Sequence, residues 1–183
     1  MQPKQWISLF IGTTILCLVS CGCSKSLSIQ AQADQGIRNQ YIRVDIVGLN
    51  TFEKDIWMNP ETTLEDYWID QSGRRKQAID QGILVTQEFN PSRLDVEMTL
   101  TKKHPVWKKW RKNSASHFIV LMDRCQDKNT WRLCLPLRKK CWKGSFKDQV
   151  KRGGKERIKD NCITVRITEN GIIPVTTPIP GCE

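Results

Sequence analysis

Histidine is nearly absent from this chain: His104 and His117 are the only two in 183 residues. That leaves little material for a His-rich metal site or for imidazole acid–base catalysis. His104 precedes Pro105 at a predicted helix start and His117 opens a predicted strand, so both read as structural residues. No GxSxG, HExxH, Walker or GxGxxG pattern occurs, and Gly153-Gly154-Lys155 is only a loop fragment. The expectation is a protein that is not an enzyme and takes no cofactor, no metal and no small-molecule substrate. Past the first twenty residues there is no apolar run of membrane-spanning length. Acids are scarce in one region: residues 102–159 hold four (Asp123, Asp127, Asp148, Glu156) against 19 Lys and Arg, a local charge of +15. Residues 21–101 hold 12 acids against 8 bases, so the overall charge of +10 is concentrated in the second half.

Against these absences, 39% hydrophobic and 26% charged residues are enough for one domain with a real core. Residues 1–20 stand apart from it. Lys4 supplies a short positive start, 6–19 is uncharged and mostly apolar, and Leu18-Val19-Ser20-Cys21 follows. An aliphatic residue at −3 and a small residue before the cysteine form the bacterial lipobox, so 1–20 reads as a lipoprotein signal peptide with Cys21 as the lipid attachment site. Cys17 follows Leu16, which is not small, and Cys23 has Ser20 at −3, so neither fits as well. Acyl chains at about 0.8 kcal/mol per buried methylene make such an anchor effectively permanent. Gly22 follows the cysteine, and resemblance to enterobacterial sorting signals, in which Asp at that place retains a lipoprotein in the inner membrane, implies the outer membrane, facing the periplasm. The polar stretch 21–39, rich in Ser, Gln and Ala, reads as a flexible tether, and 40–183 as the folded domain.

Within that domain, period-two alternation predicts strands at 41–49, 94–101, 130–138 and 162–168, 83–89 has strand character, and 172–176 reads as a final short strand. The nearly continuous apolar run 117–123 predicts a central strand covered on both faces. Asn90-Pro91-Ser92-Arg93 reads as a turn that makes 83–101 the strongest hairpin, and Glu169-Asn170-Gly171 as another turn. Short helices are expected before Trp68, capped either by Asn59 or by Thr62 with Glu65, over 74–81, and over 105–112. Seven or eight short strands with brief helical insertions predict a mainly β, two-layer β-sandwich.

With Cys21 acylated, six cysteines remain, an even number in an oxidising compartment, which favours disulfides over metal. If 130–138 and 162–168 form a hairpin, Cys141 and Cys162 meet at the base of the long basic segment 139–160, a bridge worth about 3 kcal/mol. Cys125 with Cys134, and Cys23 with Cys182, are the remaining pairings; buried thiols are the alternative. Arg138, Lys139, Lys140, Lys143, Lys147, Lys151, Arg152, Lys155, Arg157 and Lys159 make 138–159 one focus of positive charge, and 102–112 is the other. Lys147, Lys151, Arg152 and Lys155 are the candidates for contact with an acidic partner. A periplasmic address argues against nucleic acid. Trp107 and Trp110, among Lys108, Lys109 and Arg111, read as two rings capping the core with lysine stems reaching outward.

The run 117–123 (HFIVLMD), the Trp131-Arg132 pair that opens the next strand, the first strand ending in Leu49-Asn50, Leu100…Pro105-Val106-Trp107, the lipobox and the chain length together resemble the outer-membrane lipoproteins of type VI secretion systems, the TssJ and IglE-like group. That resemblance implies a transthyretin-like sandwich, tethered to the outer membrane, that recruits the periplasmic end of an inner-membrane anchor protein and so fixes a trans-envelope secretion complex. Where the family runs on into strand, 52–68 reads here as helix, and neither the cysteine set nor the basic insertion 139–160 belongs to the family pattern. The rival reading is a stand-alone lipoprotein binding an anionic lipid, polymer or acidic protein through its basic loops.

Overall fold

The alternation in 41–49 becomes strand β2 (Ile42–Leu49), which is buried along nearly its whole length in the computed structural model. Residues 27–37, 39–69, 73–90, 97–142, 161–178 and 181–182 are described; Cys21, the signal-peptide segment 1–20 and the four basic candidates Lys147, Lys151, Arg152 and Lys155 lie outside them. In chain order the elements are β1 (Leu27–Ala33), β2, α1 (Thr51–Trp57), α2 (Leu64–Trp68), α3 (Gly73–Asp80), β3 (Leu84–Phe89), β4 (Glu97–Leu100), α4 (Val106–Lys112), β5 (His117–Met122), β6 (Arg132–Pro136), β7 (Asn161–Thr168) and β8 (Gly171–Pro174). They build two four-stranded sheets, β4-β1-β7-β8 and β3-β2-β5-β6. This is the expected mainly β, two-layer sandwich.

The first sheet presents Ile29, Ala31, Ala33, Met98, Leu100, Ile163, Val165, Ile167 and Ile172 to the core. Its other face carries Gln30, Gln32, Thr99, Cys162 and Arg166 outward, the alternation of a sheet with one wet side. The second sheet is covered on both faces. Val44, Ile46, Phe118, Val120 and Met122 pack toward the first sheet, while Asp45, Val47, Leu49, Ile119 and Leu121 lie under the helical layer α1–α3. Double coverage explains why β5 reads as an unbroken apolar run rather than an alternating one.

Three expectations are corrected. Part of the stretch 21–39 expected as tether is strand: β1 occupies 27–33 and is an inner strand, antiparallel to β4 and parallel to β7. Its core-facing residues are one Ile and two Ala, so its apolar signal is weak although its period is two. The segment 83–101 is not a hairpin: β3 pairs with β2 and β4 with β1, in opposite sheets. Alternation assigns the face a side chain takes and not the partner strand: β4 turns Met98 and Leu100, and β3 turns Phe89, to the inter-sheet core. Likewise β6 and β7 belong to different sheets, which removes the premise for pairing Cys141 with Cys162. The β5–β6 and β7–β8 hairpins are present.

The helix starts also differ from expectation. α1 begins one residue after β2, capped by Asn50: its side chain accepts from Glu53 N–H, and the Glu53 carboxylate accepts from Asn50 N–H. Thr63 and Asp66 form the same reciprocal box at α2, one residue beyond the Thr62–Glu65 pair read from sequence. Among the described residues no helix is long and apolar enough to cross a membrane.

The strand directions define two ends of the sandwich. At the proximal end β1 and β7 begin and β4 stops. α4 follows β4 there and closes this end: Trp110 packs over Gly48, leaving no room for a Cβ, and its indole N–H donates to Ile83 O at 2.7 Å. Trp110 is 1% exposed and thus caps the core as read from the sequence. At the distal end the β5–β6 turn meets the β7–β8 turn through Gln126 N–H to Glu169 O and Ile172 N–H to Thr130 O.

Candidate functional site

Two surfaces stand out, one on the flank of the sandwich and one at its proximal end. On the flank, the helical layer is tied to the sheet by a buried polar knot. Asp45, at 0% exposure in the middle of β2, accepts from Tyr67 Oη at 2.8 Å, Arg75 Nε at 2.8 Å and Thr86 Oγ1 at 2.5 Å. A buried carboxylate needs such donors, since an unpaired one would cost several kcal/mol to desolvate. Burial, with Asp45 next to it, holds the Tyr67 hydroxyl protonated far above the usual phenol range.

Nearby, Arg43 and Asp123 form an ion pair at 2.9 Å. The guanidiniums of Arg43 and Arg75 both lie over the Trp68 ring, at 5.0 and 5.1 Å from its centroid, and the Trp68 N–H donates to Met122 O at 2.9 Å. Arg132, from the Trp-Arg pair that opens β6, donates to Trp57 O at 3.0 Å and Asn59 O at 2.8 Å, the carbonyls where α1 ends. Burial, and Arg74 beside it, lower its pKa. The Trp131-Arg132 pair therefore holds the fold together. Trp131 packs near Tyr67, with ring centroids 6.0 Å apart, and Arg132 fixes the loop after α1. Between the loop after α1, α2 and the start of α3 lies a cleft of about 380 Å³ lined by Asn59, Glu61, Thr62, Asp66, Tyr67 and Arg74 among others.

The proximal end is different in kind. Lys102 and Lys103 follow β4, Lys108, Lys109, Arg111 and Lys112 lie on α4, and Arg138 and Lys140 follow β6; all eight are exposed. No Asp or Glu occurs between Glu97 and Asp123. Among the described residues none of the eight makes an ion pair. Phe52, 86% exposed, stands in the first turn of α1 at the same end. The distal turns instead carry Asp34, Asp123, Asp127 and Glu169, interspersed with Arg124 and Lys128. The proximal end thus carries a larger excess of positive charge than the distal turns.

The two histidines have local roles. His104 Nδ1 accepts from Val106 N–H at 3.3 Å where α4 begins. His117 Nδ1 lies 2.9 Å from Ser116 Oγ, which is 3.1 Å from Thr51 Oγ1, joining β5 to the start of α1. Burial, then Lys54 and Arg138, lower the His117 pKa, so the ring is neutral at pH 7. Among the described residues no carboxylate hydrogen-bonds this imidazole, and no cluster of three or more His, Cys, Asp or Glu is placed to hold a metal.

The cysteines correct the expected pairings. Cys141 is bonded to Cys182, with Cα atoms 5.5 Å apart. Cys141 is buried beside Trp142, whereas Cys162 faces outward on β7 in register with Ser28. Cys125 and Cys134 are not joined: both are thiols, one in the β5–β6 turn and the other on β6 beneath α1. Their separation follows from the hairpin itself, since Cys134 pairs with Ile119 well along the strand while Cys125 belongs to the turn at its end.

With this geometry in place, the chain can be compared with known proteins. It is similar to Lip of Serratia marcescens, a membrane-bound component of the type VI secretion system. The identity is 12%, the TM-score is 0.40, and the match covers 81% of this chain and 96% of that one. No protein-family model and no curated protein matches the chain. Sequence reasoning picked out the basic segment 102–112 but missed the Asp45 knot. An aspartate at an apparently outward position of an alternating strand reads as solvent-facing, and the helical layer that buries it comes from a separate stretch of chain.

Proposed function

We propose that this chain is an outer-membrane lipoprotein, anchored through Cys21 and facing the periplasm, that docks the periplasmic part of an inner-membrane protein and so fixes a type VI-like secretion complex to the outer membrane. In this reading it is not an enzyme; it binds a protein and a membrane. The observation that carries the proposal is the lipobox Leu18-Val19-Ser20-Cys21 standing immediately ahead of a two-layer sandwich. The strand run HFIVLMD with its following Trp131-Arg132, the features that resemble the type VI lipoproteins, is consistent with it. A permanent lipid anchor on a rigid β domain suits a protein that transmits position rather than chemistry.

The test has two arms. Clickable palmitate should label the wild type and not Cys21→Ser, and the labelled protein should fractionate with the outer membrane. Crosslinking in intact cells should then recover an inner-membrane protein with a periplasmic domain. Equal labelling of both forms removes the anchor. Labelling without such a crosslinked partner removes the docking role. The part played by the basic segment is read by changing Lys147, Lys151, Arg152 and Lys155 to Glu: if that segment is the contact, the variant recovers less partner than the wild type at low salt, and recovery by the wild type falls as salt is raised.

A further inference from the structure

The basic proximal end is where the N-terminal segment enters the fold. β1 begins at Leu27, beside the end of β4 (Ile29 pairs with Leu100) and the start of β7 (Leu27 pairs with Asn161). Lys102 and Lys103 follow directly from that end of β4, and α4 lies across it. Only residues 22–26 separate Cys21 from β1. Six residue steps of extended chain span at most about 20 Å, so whatever holds Cys21 also holds this end close by.

We infer that the proximal end is a membrane-docking face. Lys102, Lys103, Lys108, Lys109, Arg111, Lys112, Arg138 and Lys140 lie against anionic phospholipid headgroups, with the exposed ring of Phe52 at the same end available to the interfacial layer. The inference rests on the proposed anchoring at Cys21 and adds an orientation to it. A lipid anchor alone leaves a domain free to tumble beneath the bilayer; a basic face at the root of a five-residue link turns it to one pose. Three observations favour an anionic bilayer as the occupant. The charge is strongly positive and exposed: eight basic side chains stand against Asp55 and Asp80 at the same end, and among the described residues none of the eight is ion-paired. It spreads over an end of the molecule rather than a groove. The short link keeps this end within about 20 Å of Cys21. Headgroup attraction accumulates with each basic side chain within about a Debye length, ~10 Å at 0.1 M salt. The distal turns, and much of the helical flank, are then left facing away from the bilayer.

The experiment separates this face from the anchor. All eight strands begin at residue 27 or later, so a chain starting at Gly22 keeps the whole described fold and carries no acyl group. Its binding is measured by co-sedimentation with vesicles of phosphatidylcholine alone and of phosphatidylcholine with phosphatidylglycerol at about one part in three. Binding is expected to the mixed vesicles only, and to weaken steeply with salt. Changing Lys102, Lys103, Lys108 and Lys112 to Glu should lower it by at least about tenfold. Changing Arg124 and Lys128 to Glu at the distal end should leave it unchanged. Far-UV circular dichroism and a thermal melt check that each variant is folded. Equal binding by the wild type and the proximal variant, or no preference for the anionic vesicles, overturns the inference. Failure of the anchor is read separately, as absence of palmitate at Cys21 in cells.

Discussion

Removing the Cys141–Cys182 bridge should cost the domain a large share of its stability. The two residues are 41 apart in sequence. Loop-closure entropy for a ring of that size gives about 4 kcal/mol of stabilisation at room temperature. Against a typical domain stability of ~5–15 kcal/mol, that separates a securely folded protein from a marginal one. The variant to use is Cys182→Ala. Cys141 is 1% exposed and its truncation would also open a cavity, whereas Cys182 is only partly buried. Urea unfolding of the oxidised wild type, the reduced wild type and Cys182→Ala, all starting at Gly22, should group the last two together and well below the first. A Cys182→Ala protein within about 1 kcal/mol of the wild type would refute the reasoning, as would a non-reduced peptide map linking Cys141 to Cys162.

Three further outcomes are expected. Asp45→Asn should destabilise the fold by about 3 kcal/mol, since one amide oxygen cannot serve the three donors that converge on the carboxylate and its NH₂ turns a donor toward donors; Tyr67→Phe should cost about 2 kcal/mol, both read from denaturant midpoints. Gly48→Ala, whose Cβ would overlap the Trp110 ring, should cost about 2 kcal/mol in the wild type and almost nothing in a Trp110→Ala background. Burial pushes the Cys134 thiol up to about 11, so its alkylation in the native protein should be slow at pH 8, rise tenfold with each pH unit and level off only near that value; a plateau near the ordinary thiol range of about 8.5 would contradict it.

What could be read from the sequence was governed by the size of the inward-facing side chains. β2, β5 and β7 put Ile, Val and Leu on the core, and their alternation or continuous apolar run is visible without a structure. β1 has the same period, but in Leu-Ser-Ile-Gln-Ala-Gln-Ala the core positions are mostly alanine and the outward ones glutamine, a composition shared with linkers. The β7–β8 hairpin was legible because the two residues between its strands, Glu169 and Asn170, are too few to cross between sheets. β3 and β4 were misread because the segment joining them also permits a crossing between sheets, and alternation specifies a face, never an edge. The cysteine pairing failed with the hairpin on which it depended. At the candidate site, the charge on 102–112 was countable from the sequence. Its position beside the entry of β1 was not, because it depends on an antiparallel pairing of residues 29 and 100.

The place of β1 also sets how the molecule bears load. It lies between β4 and β7 and is hydrogen-bonded along both edges, with Leu27 nearest the end from which residues 22–26 lead to Cys21. Tension applied through the proposed anchor at Cys21 would therefore run along the strand axis, and the ladder bonds, which lie roughly across that axis, would be strained together rather than opened one at a time. A strand attached at the rim of a sheet would peel; this one has to be sheared from two neighbours at once. Pulling on the N terminus against the β6 side of the domain in a single-molecule experiment should accordingly give one abrupt rupture. A gradual low-force extension would mean that β1 does not carry the load. A protein held at one end by lipid and at the other by a moving assembly would need a joint of this type at its point of suspension.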